Sequence, residues 1–362
     1  MKPSSTRGIL LASLLSLCCT VALPASAQAT ASAPAPTLTA QQAAQVFAGL
    51  DGHRTHLQSL ATDAWGKYEK RIGTPLQAWS KHEVAYAGGG TVFYPFSGPD
   101  FLTVARMYPG ADRYVLVAIQ NARKPVRPER MPEAQRSKFE SKLGGAWERF
   151  GSLGFFRTDD LDDDQRDQAT GLGVTTILMA FSARLGYEVT AVEPLAFNAN
   201  KGEWEASPSA SDWRSVRLSL QKDGHRTTLD YIRLDLSDKG LQSPEVQTWI
   251  GHMAAQPVFL KAASHLLQEP HFSILRNALV SNAPLVVQDE TGLDYTDLKK
   301  VGGITLYGNF RQTHRLFKNT KQTALAAAYK AEAHLHELPF AYSYLKDVNA
   351  RSMQIARRQP KK

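Results

Sequence analysis

The sequence predicts an α/β or α+β fold: one mixed sheet with flanking helices and a Rossmann-like β-α-β unit at residues 91–121. Three observations carry this. Residues 91–96 (TVFYPF) and 113–120 (RYVLVAIQ) are short runs rich in β-branched and aromatic residues, as buried strands are. Ser97-Gly98-Pro99-Asp100 is a tight turn that opens a short helix at 101–107, with Asp100 or Ser97 as its N-cap, and Pro109-Gly110 ends that helix. Strand-like and helix-like segments then alternate irregularly to the end of the chain with no internal repeat, which points to one mixed sheet in one domain with insertions.

The elements follow in order. In residues 41–79, Val46, Leu50, His53, Leu57, Leu60, Ala64 and Tyr68 recur at spacings of three and four, so this stretch is predicted helical until Pro75 breaks it. Gly88-Gly89-Gly90 turns the chain into the β-α-β unit. Residues 130–149 form an amphipathic surface helix, 174–185 an apolar helix and 187–195 a strand. Residues 213–221 and 226–235 alternate in strand fashion around Gly224, a hairpin. Residues 257–268 read as helix, 285–288 and 303–310 as strands, and 323–333 as helix.

The N-terminus has the three parts of a secretory signal. Lys2 and Arg7 supply the positive start, residues 9–23 the apolar run, and Ala25-Ser26-Ala27 and Ala27-Gln28-Ala29 two small-x-small cleavage sites. The expected organisation is a signal peptide at 1–29, a flexible Ala/Pro/Ser/Thr tether at 30–39, a globular domain at 40–348 and a basic tail at 349–362. Cys18 and Cys19 lie inside the signal, so the mature chain has no disulfide, thiolate nucleophile or cysteine-based metal site. The apolar run is shorter than a spanning helix needs, and the mature chain is expected to be periplasmic or secreted, without a transmembrane segment. The formal charge of +8 falls to about +6 when Lys2 and Arg7 leave. A basic exported chain suits a small molecule or a cell-envelope polymer as partner more than nucleic acid.

Metal and cofactor signatures are weak. Residues 159–167 hold six aspartates, but the D-x-[DN]-x-[DN]-G spacing of a calcium loop is missing and Leu161 interrupts the run. The segment reads as a solvated helix start, and no metal or cofactor is assigned. HExxH, GxSxG, P-loop and GxGxxG patterns are all absent.

Three segments carry the candidate chemistry. YPFSGPDF places Ser97, Gly98 and Asp100 where open α/β sheets bind ligands, at the carboxyl end of a strand. Around residue 261, Lys261, Ser264, His265 and Gln268 share a face if the segment is helical, and Arg276 follows on the same stretch. QDETGLDY puts Gln288, Asp289, Glu290, Thr291 and Tyr295 after a second apolar strand. Asp100, Asp289 and Lys261 are the candidate catalytic residues. Ser97, Gly98, His265, Arg276, Gln288, Thr291 and Tyr295 are the candidate ligand contacts. Three readings remain open: a ligand-binding or non-catalytic envelope protein, an envelope hydrolase or transferase using Asp100 or Asp289 as acid or base, and a basic adaptor held to an anionic polymer through the C-terminal tail.

Taken in order, YPFSGPDF, YVLVAIQ, LDYIRLDLSD, FLKAASHLL, FSILRNALV, VVQDETGLDY and ITLYGNF resemble a family of exported bacterial proteins with a YPFSGPDF-type motif and a later QDDTG-like motif, here QDETG. That family has no established activity, so the resemblance implies a periplasmic or surface protein and no mechanism. Its members tend to end the second strand with Gly-Leu-Glu-Pro, where this chain has Ala118-Ile119-Gln120-Asn121. The strand–SGxD–helix–strand order is also similar to the nucleotide-binding half of methyltransferase-like folds, in which an acid at that strand end grips ribose hydroxyls. Gln120 stands there instead, so this second likeness concerns fold alone.

Overall fold

The computed structural model describes residues 37–52, 55–153, 172–207, 211–261, 265–314, 317, 319–340 and 351–359. The signal segment, the aspartate-rich run 159–167 and Ser264 lie outside the described residues.

Thr39 starts the first helix with a capping box. Its hydroxyl accepts from the Gln42 N–H at 3.2 Å, and the Gln42 side chain accepts from the Thr39 N–H at 2.9 Å. The single helix expected over 41–79 is instead α1 (Ala40–Phe47), α2 (Thr55–Tyr68), a π-helical turn at Glu69–Gly73 and α3 (Thr74–Glu83). Gly49, at φ 62°, supplies the left-handed conformation that ends α1. Pro75 does not end the helical run, which continues from α2 into α3 with the π-helical turn at Glu69–Gly73 just before the proline.

The β-α-β unit forms as predicted: β1 (Thr91–Pro95), α4 (Phe101–Met107) and β2 (Arg113–Ala118), with β1 and β2 parallel. Then come α5 (Glu133–Leu153), α6 (Val174–Arg184), β3 (Glu188–Asn198), β4 (Glu203–Ala206), and the predicted hairpin of β5 (Val216–Lys222) and β6 (His225–Arg233). The last third holds α7 (Pro244–Ala254), β7 (Val258–Leu260), α8 (Ser273–Asn282), β8 (Leu285–Gln288), α9 (Tyr295–Val301), β9 (Gly303–Gly308), α10 (Thr323–Ala331) and β10 (Ser352–Arg357).

Ten strands among the described residues make one mixed sheet, ordered β4-β3-β5-β6-β2-β1-β7-β8-β10-β9. The five strands β6-β2-β1-β7-β8 are parallel, and antiparallel strands extend the sheet on both sides. From β1 the chain builds outward to β2 and β6, then returns to β1's other side for β7 and β8. The direction of growth therefore reverses between β1 and β7.

Side chains alternate between two apolar layers, as a pleated strand requires. Tyr94 and Val92 of β1, with Tyr114 and Leu116 of β2, pack into the layer that includes Phe47, Trp147 and Phe181. Phe93, Val115 and Val117 face the other layer, with Trp249, Leu275 and Leu279 of α7 and α8. Each such fully buried side chain contributes roughly 1.5–3 kcal/mol. Burial on both faces explains the continuous apolar runs of β1 and β2.

Two expectations are corrected here. Residues 257–268 are not a helix: the apolar triplet VFL is strand β7, and the chain then turns through His265 (φ 56°) into a 3-10 turn at Leu266–Gln268. The predicted basic tail 349–362 is not a solvated tail either. Its Ser352–Arg357 segment is strand β10, inserted between β8 and β9, with five of its six residues buried. Charge at 351, 357 and 358 masked the short alternating run SMQIA.

Candidate functional site

β1, β7 and β8 are adjacent and parallel, so their carboxyl ends lie along one edge of the sheet. Asp100 follows β1 through the Ser97–Pro99 turn, Lys261 follows β7 directly, and Asp289 follows β8 directly. The carboxylates of Asp289, Asp100 and Glu290 all act on the Lys261 ammonium. The three residues proposed for catalysis thus share one electrostatic neighbourhood at the reversal between β1 and β7. All are buried: Asp289 is 1% exposed, Asp100 4% and Lys261 6%.

Asp100 caps α4. Its Oδ1 accepts from the Thr103 hydroxyl at 2.6 Å and the Thr103 N–H at 3.4 Å. Its Oδ2 accepts from the Tyr94 hydroxyl at 3.1 Å. Capping and proximity to Lys261 are therefore both properties of this carboxylate. The turn before it is held by Ser97, whose N–H and hydroxyl donate to the Val117 carbonyl at 3.0 and 3.4 Å. Phe96 reaches φ 61° and Gly98 φ 52° to make the bend. A phenylalanine in the left-handed region is an uncommon, strained conformation.

The Asp289 carboxylate accepts at Oδ1 from the Thr291 N–H at 2.9 Å and from the Thr291 hydroxyl. Its buried Oδ2 has no hydrogen-bond partner among the described residues. Burial raises the Asp289 carboxyl above its ordinary range, against the pull of Lys261. Glu290 accepts from the Ser352 hydroxyl at 3.0 Å. Burial, reinforced by the Asp289 charge, pushes Glu290 up to about 8. Burial lowers the Lys261 ammonium, and the surrounding carboxylates oppose that shift. A carboxyl that keeps its proton at neutral pH can donate it, and an adjacent ionised carboxylate can accept one.

The other predicted ligand residues divide. Gln288 is structural: its amide donates to the Leu293 carbonyl and accepts from the Leu293 N–H, both at 2.9 Å, closing the QDETG loop. Arg276 braces the 3-10 turn, donating to the Leu267 and Glu269 carbonyls at 2.9 Å. Tyr295 packs against the small cluster of Leu306, Phe310, Leu325 and Tyr329. His265 is buried, and burial lowers it to about 4, so it is neutral at ordinary pH. It approaches the Gln322 amide at 3.5 Å, and it does not share a helical face with Lys261.

Two contributors were not legible in the sequence. Ser352 reaches Glu290 from β10, and Gln322 donates to the Glu290 carbonyl at 2.6 Å. Nothing in the local sequence marks them, because only the sheet order and the loop packing bring them together. Gln268, grouped with Lys261 in the sequence, donates to the Glu290 and Gly292 carbonyls at 3.2 and 3.0 Å from the 3-10 turn and not from a shared helical face. Among the described residues, no group of three or more His, Cys, Asp or Glu side chains is placed to hold a metal ion. No described helix is long and apolar enough to cross a membrane. No family model matches the chain, and neither a curated protein nor a solved structure matches it.

Proposed function

We propose that the chain is an exported cell-envelope protein that binds a small polar molecule at the carboxyl edge of β1, β7 and β8. One observation carries this reading: three adjacent parallel strands each lead at their carboxyl end into a charged residue, directly for Lys261 and Asp289 and through a turn for Asp100, and the three charges share a buried neighbourhood where the sheet's growth reverses. Numbered in chain order, the parallel strands run 3-2-1-4-5. That is the order of Rossmann-like doubly wound sheets, whose ligands bind at this reversal. Export rests on the signal-like segment 1–29.

A hydrolase or transferase reading is favoured by a separate observation. Asp289 keeps one buried oxygen without a hydrogen-bond partner among the described residues, beside a glutamic acid raised to about 8. In that reading Asp289 is the base, and Asp100 orients Lys261.

The test is a melting-temperature screen of the mature chain against nucleosides, sugars, amino acids and short cell-wall fragments, repeated with Asp289→Asn and Lys261→Met. The reading expects at least one compound to raise the wild-type melting temperature and to lose that effect in both variants. A compound that stabilises all three proteins equally binds elsewhere and sinks the assignment.

A further inference from the structure

A cleft of about 260 Å³ lies beside this edge, between the segments after β9 and before α10. Phe310 and Ala326 give it apolar lining, and Thr313, Thr320 and Thr323 line it as well. Two cations, Arg311 and Lys321, are among its lining residues, and no acidic residue lines it among the described residues. Neither cation makes an ion pair among the described residues, although the chain elsewhere pairs Arg106, Arg113, Arg217 and Lys201 with carboxylates. The Thr313 hydroxyl donates to the Thr320 carbonyl at 2.8 Å and ties the two segments together. Gln322 points its amide toward the Glu290 carbonyl and not toward the helix that follows it, so α10 begins without a side-chain cap.

We infer that this cleft binds the phosphoryl group of a small phosphorylated molecule. A guanidinium fork and an ammonium supply opposite charge. The Thr320 and Thr323 hydroxyls supply short-range donors, since the Thr313 proton is committed to the Thr320 carbonyl, and the apolar lining accommodates the remainder of a small ligand. A carboxylate, with one plane of oxygens, would use fewer of these donors than a tetrahedral phosphoryl group. The inference stands on the cleft alone and does not depend on the reading of the buried edge.

The experiment is isothermal titration of the full mature chain with inorganic phosphate, glycerol 3-phosphate and acetate at constant ionic strength. The proteins are wild type, Arg311→Gln, Lys321→Gln and, as a control, Lys330→Gln, an exposed cation in the last turn of α10. The expected result is saturable binding of phosphate or its ester, about tenfold weaker in each cleft variant and unchanged in the control. Tighter binding of the ester than of inorganic phosphate assigns an organic ligand, and equal binding assigns the free anion. The inference is overturned by no saturable binding, by acetate binding as tightly as phosphate, or by equal weakening in Lys330→Gln. Unchanged melting temperatures without ligand establish that the cleft variants are folded. If one is not, line broadening of the phosphate ³¹P resonance by wild type, absent with the other variant, decides the question.

Discussion

The Ser352 hydroxyl donates to Glu290 Oε2 at 3.0 Å, joining residues 62 positions apart inside the sheet. β10 thus builds the polar edge as well as closing the sheet. Deleting residues 351–362 is therefore expected to abolish cooperative unfolding. The deletion removes the strand between β8 and β9 and the buried Met353 and Ile355, each contributing roughly 1.5–3 kcal/mol. A sharp melting transition in the truncated chain would contradict this.

Lys261 and its carboxylates form a buried charge group, so removing one member leaves another uncompensated. Lys261→Met and Asp289→Asn should each destabilise by about 3–5 kcal/mol. The double variant should recover part of the loss, because both charges then leave together. Urea midpoints of the four proteins give the coupling, and strict additivity would show that the pair does not interact.

The raised carboxyl of Glu290 has a pH signature. An acid whose folded pKa exceeds its unfolded value contributes stability that is fully present below about 4.5 and is lost as pH rises through about 8. His265, lowered to about 4, acts oppositely: its contribution is present above its ordinary 6.5 and lost as pH falls through 4. Between pH 6.5 and 8 the histidine is neutral in both states, so the decline there comes from the buried charge group of Glu290, Asp289 and Lys261, and a variant is needed to apportion it. Glu290→Gln keeps an acceptor for Ser352 and should flatten the decline in urea midpoint across this window. A decline as steep as in wild type would remove Glu290 as its source.

Gly292 is required by its neighbour. A Cβ there would lie 2.5 Å from Gln288 Oε1 and 2.7 Å from its Cδ. Gly292→Ala should displace that amide and break both bonds to Leu293, at a cost of about 1–3 kcal/mol. Adding Gln288→Ala should then cost less than it does in wild type. Equal costs in both backgrounds would show that the amide had not been displaced.

If residues 1–29 are removed on export, the intact mass of the periplasmic chain should place its N-terminus between Ala27 and Thr30. A mass that retains Cys18 would contradict the proposed export route.

The sequence made β1, α4, β2, the hairpin and β8 legible because each contains its own pattern: β-branched runs, a turn, a cap. Asp100 and Asp289 could be placed at a common edge for the same reason, since both follow apolar strands. What local pattern cannot supply is order along the sheet. β7 is three residues long, too short to outweigh the helix-compatible KAASHLLQ that follows, so Lys261 was expected on a helical face when it is a strand-end residue. Ser352 was hidden because the final strand lies among arginines that a composition reading assigns to solvent.

Two of those arginines, and two cations elsewhere, meet backbone carbonyls. Arg184 Nε donates to the Ala48 carbonyl after α1, and Lys222 to the Leu185 carbonyl after α6. Arg357 reaches Glu83 and Val84 after α3, and Arg358 reaches Val280 and Ala283 at the end of α8. Four cations thus close the negative ends of four helices. A share of the high isoelectric point is accordingly a by-product of finishing helices. Charge-reversal libraries aimed at lowering it would encounter misfolding at these positions before they reported on any polyanion.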